Sequence, residues 1–178
     1  MSSKFSPKRA TSDSEVYNAS HGTPVYLYSQ IANMDPAYLP TLLGGPKNSM
    51  IILVQDPRDP NIGHWTAVVY NINKDEYYFF SSYGGRPDEE KNCYMNERER
   101  LLSGQSSNFI SDGLKRLFLQ GKKVHYSEFP YQKVNDGTST CGIWAVAFIM
   151  SGMNPTEFHR YILSKHITPE KLWYKYFV

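Results

Sequence analysis

The segment TSTCGIWAVAFIM (138–150) passes abruptly from small polar residues to a run in which every residue after Thr140 is apolar or glycine. A run of this length exceeds a strand of about four to eight residues and predicts a helix buried on all sides. Its first turn holds Cys141. A thiol at that place faces the positive end of the helix dipole and unpaired backbone N–H groups, which favour the reactive thiolate. The N–H of Cys141 can also donate to the oxyanion of a tetrahedral intermediate. Gly142 leaves room for backbone and substrate to approach closely. Read alone, the same cysteine fits a buried and inert core residue equally well.

Upstream of this helix, SMIILVQD (49–56) is a continuous apolar, β-branched run ended by the turn residues DPRDPN, the pattern of a buried strand. HWTAVVYN (64–71) and EYYFFSSY (76–83) are two further β-rich runs joined by INKD, and the three together predict a meander in one sheet. KVHYSEF (123–129) predicts another strand. Helical spacing marks MDPAYLPTLL (34–43), the stretch 107–123 ending at Gly121, NPTEFHRYILSKH (154–166) and PEKLWYKYF (169–177). The charged stretch 84–108 reads as a solvated surface excursion. Residues 1–14 are polar and expected to form a flexible tail, leaving 15–178 as a single α+β domain.

Composition limits the functional classes. The 178 residues are 40% hydrophobic, enough for one core, and the net charge of +2 is too small to imply nucleic-acid binding. No run reaches the roughly 18 apolar residues of a membrane span. The N-terminus lacks the apolar region of a secretory signal, so an intracellular protein is expected. Cys93 and Cys141 are then expected as free thiols, one at the surface and one buried. They stand 48 residues apart with no paired-cysteine or HExxH spacing, so no metal site is expected.

Among five histidines, His64 follows the turn Asn61–Ile62–Gly63 and opens a strand, whereas His21, His125, His159 and His166 occupy polar or helical settings. A histidine at a sheet end and a cysteine at a helix start form a pair suited to nucleophilic catalysis.

The order GHW (63–65), YYFFSSYG (77–84), YQ (131–132) and TCGIW (140–144) resembles the adenovirus-type cysteine proteases, whose clan includes the SUMO-deconjugating proteases. The resemblance covers roughly 49–152. It looks closest to the capsid maturation proteases of adenoviruses, virophages and related DNA viruses. It implies a papain-like, adenain-like fold: a central mixed β-sheet packed by helices, with the nucleophile opening a buried helix. It makes Cys141 the nucleophile and His64 the general base and acid. Gln132 becomes the side-chain oxyanion donor, although it precedes Cys141 by nine residues, more than is usual in the family. Trp65 becomes the aromatic beside the histidine, walling a cleft that suits glycine.

Where the family carries an acid, this chain has Ser81, 17 residues beyond His64. Asp75 and Glu76 lie at the far end of that hairpin. The expectation is therefore a Cys–His dyad oriented by Ser81, which accepts a hydrogen bond from imidazole Nδ1–H without adding charge. The implied activity is cleavage of viral capsid or core precursors after small, glycine-containing sites, in the virion or the host cytoplasm and with no cofactor. The family also implies a DNA or peptide activator, for which Lys4, Lys8 and Arg9 offer little charge. Three other readings remain open: a deconjugating isopeptidase, an acyltransferase, and an inactive capsid-associated protein suggested by the missing acid.

Overall fold

A computed structural model describes residues 4–178. At its centre is one mixed five-stranded sheet in the order β1 (Val25–Leu27), β2 (Ser49–Asp56), β3 (Asp59–Asn71), β4 (Glu76–Ser81), β5 (Lys123–Tyr126). The three central strands form an antiparallel meander, and each edge strand joins in parallel.

Because side chains alternate along a strand, the sheet presents two apolar faces. Ile51, Leu53, Trp65, Ala67, Tyr78 and Phe80 point to one side. There they meet α7 (Cys141–Ser151), α8 (Pro155–Ser164) and α9 (Pro169–Tyr176). Met50, Ile52, Val68, Tyr77 and Phe79 point to the other, against α2 (Tyr28–Ile31), α3 (Leu39–Leu42) and α6 (Phe109–Leu119). Burial on both sides explains why SMIILVQD is almost continuously apolar.

Helix α7 is buried from Cys141 through Ile149, as its uniform apolarity predicts. Helix α6 ends as its glycine forecasts: Gly121 takes φ +92°, and the amides of Gly121 and Lys122 close back on Phe118 and Leu117. Helix α8 starts in a capping box, with Asn154 and Glu157 each accepting the other's backbone N–H.

Two stretches hold contacts that composition does not foretell. The first is the N-terminal stretch 1–14; its residues 1–3 lie outside the described residues. Residues 6–10 are exposed, but the stretch has fixed contacts. Phe5 leans on Trp173, Thr11 is buried, and Ser12 caps α1 (Asp13–Ala19). The second is the stretch 84–108. It contains α4 (Glu89–Tyr94) and α5 (Glu97–Leu102), and its charged residues are not uniformly solvated. Asp88, Glu90, Lys91 and Gln105 are all buried, because each finds a partner inside. A charge run read by composition cannot distinguish the side chains that turn inward.

Candidate active site

The start of β3, the end of β4, helix α4 and the start of α7 converge on one cleft of about 980 Å³. Cys141, His64, Trp65, Gln132, Tyr83 and Glu90 all line it.

His64 sits opposite Val54 in the β2–β3 ladder, beside a register shift at Gln55–Asp56. Gly63 makes that approach possible, since a Cβ there would run into the Val54 carbonyl. Ser81 ends β4 opposite Thr66, so it lies diagonally across from His64 on the same face. Its Oγ is 2.8 Å from His64 Nε2, not from Nδ1 as the sequence reading expects.

The acid that the sequence reading finds missing comes from α4. Glu90 places Oε2 3.3 Å from His64 Nε2, and Ser81 Oγ lies 2.6 and 2.8 Å from its two carboxylate oxygens. The amide of Gly85 donates to Oε1 at 3.0 Å. A hydroxyl has one proton, and the carboxylate can only accept. Ser81 therefore donates to Glu90 and accepts from His64 Nε2–H, forming a relay of histidine, serine and glutamate. The expected dyad becomes a histidine served by an acid both directly and through Ser81.

Helix α4 is anchored so that Glu90 can reach this far. Asp88, in the left-handed conformation before the helix, accepts from the Tyr28 hydroxyl at 2.7 Å and the Ser111 amide at 2.8 Å. The buried ammonium of Lys91 donates to the Gln105 carbonyl at 2.9 Å and to Asn108 Oδ1 at 3.1 Å. Gly85 leaves space where a Cβ would collide with the Glu90 carboxylate.

On the other side of the imidazole stands Cys141. Nε2 is occupied, so Nδ1 is the nitrogen left for the thiol; it has no closed hydrogen bond among the described residues. The two groups nevertheless govern each other's charge. Burial opposes protonation of His64, but the Cys141 sulfur and the Glu90 carboxylate outweigh it and hold the pKa at about 9. Burial likewise opposes the Cys141 thiolate; His64 and the backbone N–H groups of Trp65 and Gly142 outweigh it and lower the pKa. The amide of Trp65 stands 3.5 Å from the sulfur. Helix α7 has no acidic residue in its first turn and no side-chain cap, so its dipole acts undiminished on the sulfur. Each shift runs toward the charged form of its own group, the direction of a thiolate–imidazolium pair.

Tyr83 stacks on His64 with ring centres 4.1 Å apart and shields the imidazole from water. Burial, then the nearby sulfur, push its own pKa up to about 12, so it stays neutral.

Two expected roles meet a different geometry. Gln132 is buried beside the cleft, but its side-chain amide donates to the Thr138 carbonyl at 3.1 Å, and Ser82 Oγ donates to its Oε1. The amide carries two protons, so donation to an oxyanion requires only one of them to be free of Thr138. The space beside Gly142 is filled by Thr11 Oγ1 and the Trp65 indole, not open to substrate. Trp65 is 5% exposed, and its indole N–H donates to the Thr11 carbonyl at 3.1 Å. Cys93 is free and exposed, and Cys141 is free and buried. Among the described residues no helix is long and apolar enough to cross a membrane.

No family model matches the chain. It is similar to the uncharacterized protein V9 of Sputnik virophage, with 29% identity over 133 residues, 72% of this chain and 72% of that protein. The similarity supports a viral origin.

Proposed function

We infer that the chain is a cysteine endopeptidase of the papain-like, adenain-like type. The observation that carries this reading is the placing of His64 in one cleft between Cys141 and Glu90, with Nε2 held by Ser81 and Glu90 and Nδ1 left to the sulfur. The thiolate attacks the scissile carbonyl, and the backbone N–H of Cys141 receives the developing oxyanion. Gln132 joins it through one of its two amide protons while the other stays with Thr138. His64, charged at neutral pH, protonates the leaving amine and then activates the water that hydrolyses the thioester. Glu90 stabilises the imidazolium and fixes its ring, as an acid does in hydrolase triads.

The substrate reading rests on the resemblance alone, the virophage relative supporting only a viral origin: viral capsid or core precursors, cut after glycine-containing sites in the virion or the host cytoplasm. The buried Trp65 beside the nucleophile fits a narrow cleft that suits glycine. Glu90 beside His64 supports the catalytic reading over the inactive one, which rests on a missing acid. Co-expression with a capsid precursor, beside a Cys141→Ala control, tests the proposal. Processing that depends on Cys141 supports it. An uncut precursor, together with no cleavage across a glycine-containing peptide library, sinks it.

A further inference from the structure

The N-terminal segment touches the nucleophile on both flanks. The amide of Ser139, two residues before Cys141, donates to the Pro7 carbonyl at 2.7 Å. Thr11 fills the space beside Gly142, the residue just after Cys141, so closely that a Cβ there would collide with its Oγ1. The Thr11 carbonyl also holds the indole of Trp65, whose own amide contacts the Cys141 sulfur. Thr11 is 6% exposed, and its hydroxyl has no hydrogen-bond partner among the described residues, so its side chain is seated by shape while its carbonyl is held by Trp65.

The ends of the segment are fixed independently. Arg9 pairs with Glu15 at 2.8 Å and lies over the Trp173 ring, while Ser12 accepts from the Glu15 amide as the cap of α1. None of these anchors belongs to the sheet. The segment is a strap laid across the start of α7 and tied to the sheet through the Thr11 carbonyl and Trp65 of β3.

We propose that residues 7–12 are a positioning strap for Cys141, and that displacing them disarms the nucleophile while the domain stays folded. This rests on the peptidase reading for its consequence, but not for its test. The strap fixes Ser139 and Gly142, and with them the first turn of α7. Sulfur, imidazole and oxyanion donors must hold their geometry to within a fraction of an ångström, since a 1 Å error costs about a hundredfold in rate. A partner or a proteolytic cut acting on the strap would then control the enzyme from outside its cleft.

Gly142→Ala tests this, because the added methyl collides hardest with Thr11 Oγ1 and less with the Trp65 indole, without burdening the helix, where alanine is favoured over glycine. The readouts are the alkylation rate of Cys141 by iodoacetamide at pH 7 in a Cys93→Ser background, peptide turnover, and the melting temperature. Gly142→Ala is expected to fold and to lose about tenfold or more in alkylation and in kcat. Adding Thr11→Ala, which removes the colliding oxygen, is expected to restore most of both. Parental alkylation in Gly142→Ala overturns the proposal, and so does a double variant no more reactive than the single one. Deletion of residues 1–11, which keeps the Ser12 cap, gives the second arm and is expected to fold with the same loss. If neither variant folds, the strap is part of the core and the proposal falls. Should the parental protein cleave no peptide, the peptidase reading fails separately, because alkylation still reports on the strap.

Discussion

Ser81 and Glu90, nine positions apart, share a contact in which the serine hydroxyl lies within 2.8 Å of both carboxylate oxygens and of His64 Nε2. The serine that stands where an acid is expected is bridged to one. Glu90→Gln keeps the shape but loses the charge that stabilises imidazolium, and should lower kcat/KM about a hundredfold. Ser81→Ala should cost less, about tenfold, because Glu90 still reaches Nε2 at 3.3 Å. The double variant should resemble Glu90→Gln alone. Steady-state kinetics on one glycine-containing peptide measure all three.

Ser81→Asp separates two accounts. If the position lacked an acid, aspartate there would raise turnover. With Glu90 already in contact, a second carboxylate must share its space, and like charges so close cannot both ionise. The expected result is lost activity and a pH profile with an added ionisation.

The Glu90 carboxylate occupies the place of a side chain at Gly85. Gly85→Ala should push it away from Ser81 and also disturb the Gly85 amide bond to it. Turnover is expected to fall about tenfold or more while the melting temperature moves little, since the change lies in a turn outside the core. An unchanged kcat would detach Glu90 from catalysis.

The pH profile should follow the ion pair. The Cys141 pKa lies below the ordinary thiol value, so acid protonates the sulfur and removes activity on the low side. The His64 pKa is raised above 6.5 to about 9, so the proton for the leaving amine is present at neutral pH and lost as pH rises through about 9. Glu90 is one of the two groups holding His64 charged, so Glu90→Gln should move the alkaline limb to lower pH. An unmoved limb would contradict that coupling.

Lys91 tests the anchor behind the acid. Its buried ammonium satisfies Gln105 and Asn108. Lys91→Ala should leave a cavity and unpaired acceptors, costing about 2–4 kcal/mol of stability. Residual folded enzyme should also lose turnover, because α4 no longer holds Glu90. Denaturant melts beside active-site titration separate the two effects.

The sheet and the nucleophile helix were legible because their patterns follow burial. β2 is apolar on both faces, α7 is apolar around its whole circumference, and the β2–β3–β4 meander has short polar turns. Cys141 and His64 were legible because a helix start and a sheet end are local features. Glu90 was not. It lies in a charge run whose composition matches a solvated helix, and only folding reveals that Asp88 and Lys91 bury that run against Tyr28, Gln105 and Asn108. The one available sign was an acidic pair shortly after the Gly84–Gly85 turn, close enough in sequence to fold back on Ser81. The N-terminal strap was illegible for a related reason. Polar composition argues for mobility, whereas Thr11 is held by the Trp65 indole on its carbonyl and by the space a side chain at Gly142 would fill.

Intact-mass analysis and peptide mapping after incubation with a glycine-containing peptide vinyl sulfone test the central claim most directly. The expected result is one adduct per chain on Cys141 and none on the exposed Cys93, with the adduct abolished by His64→Ala and slowed by Glu90→Gln. Equal labelling of Cys93, or labelling of Cys141 that is indifferent to His64, would contradict it.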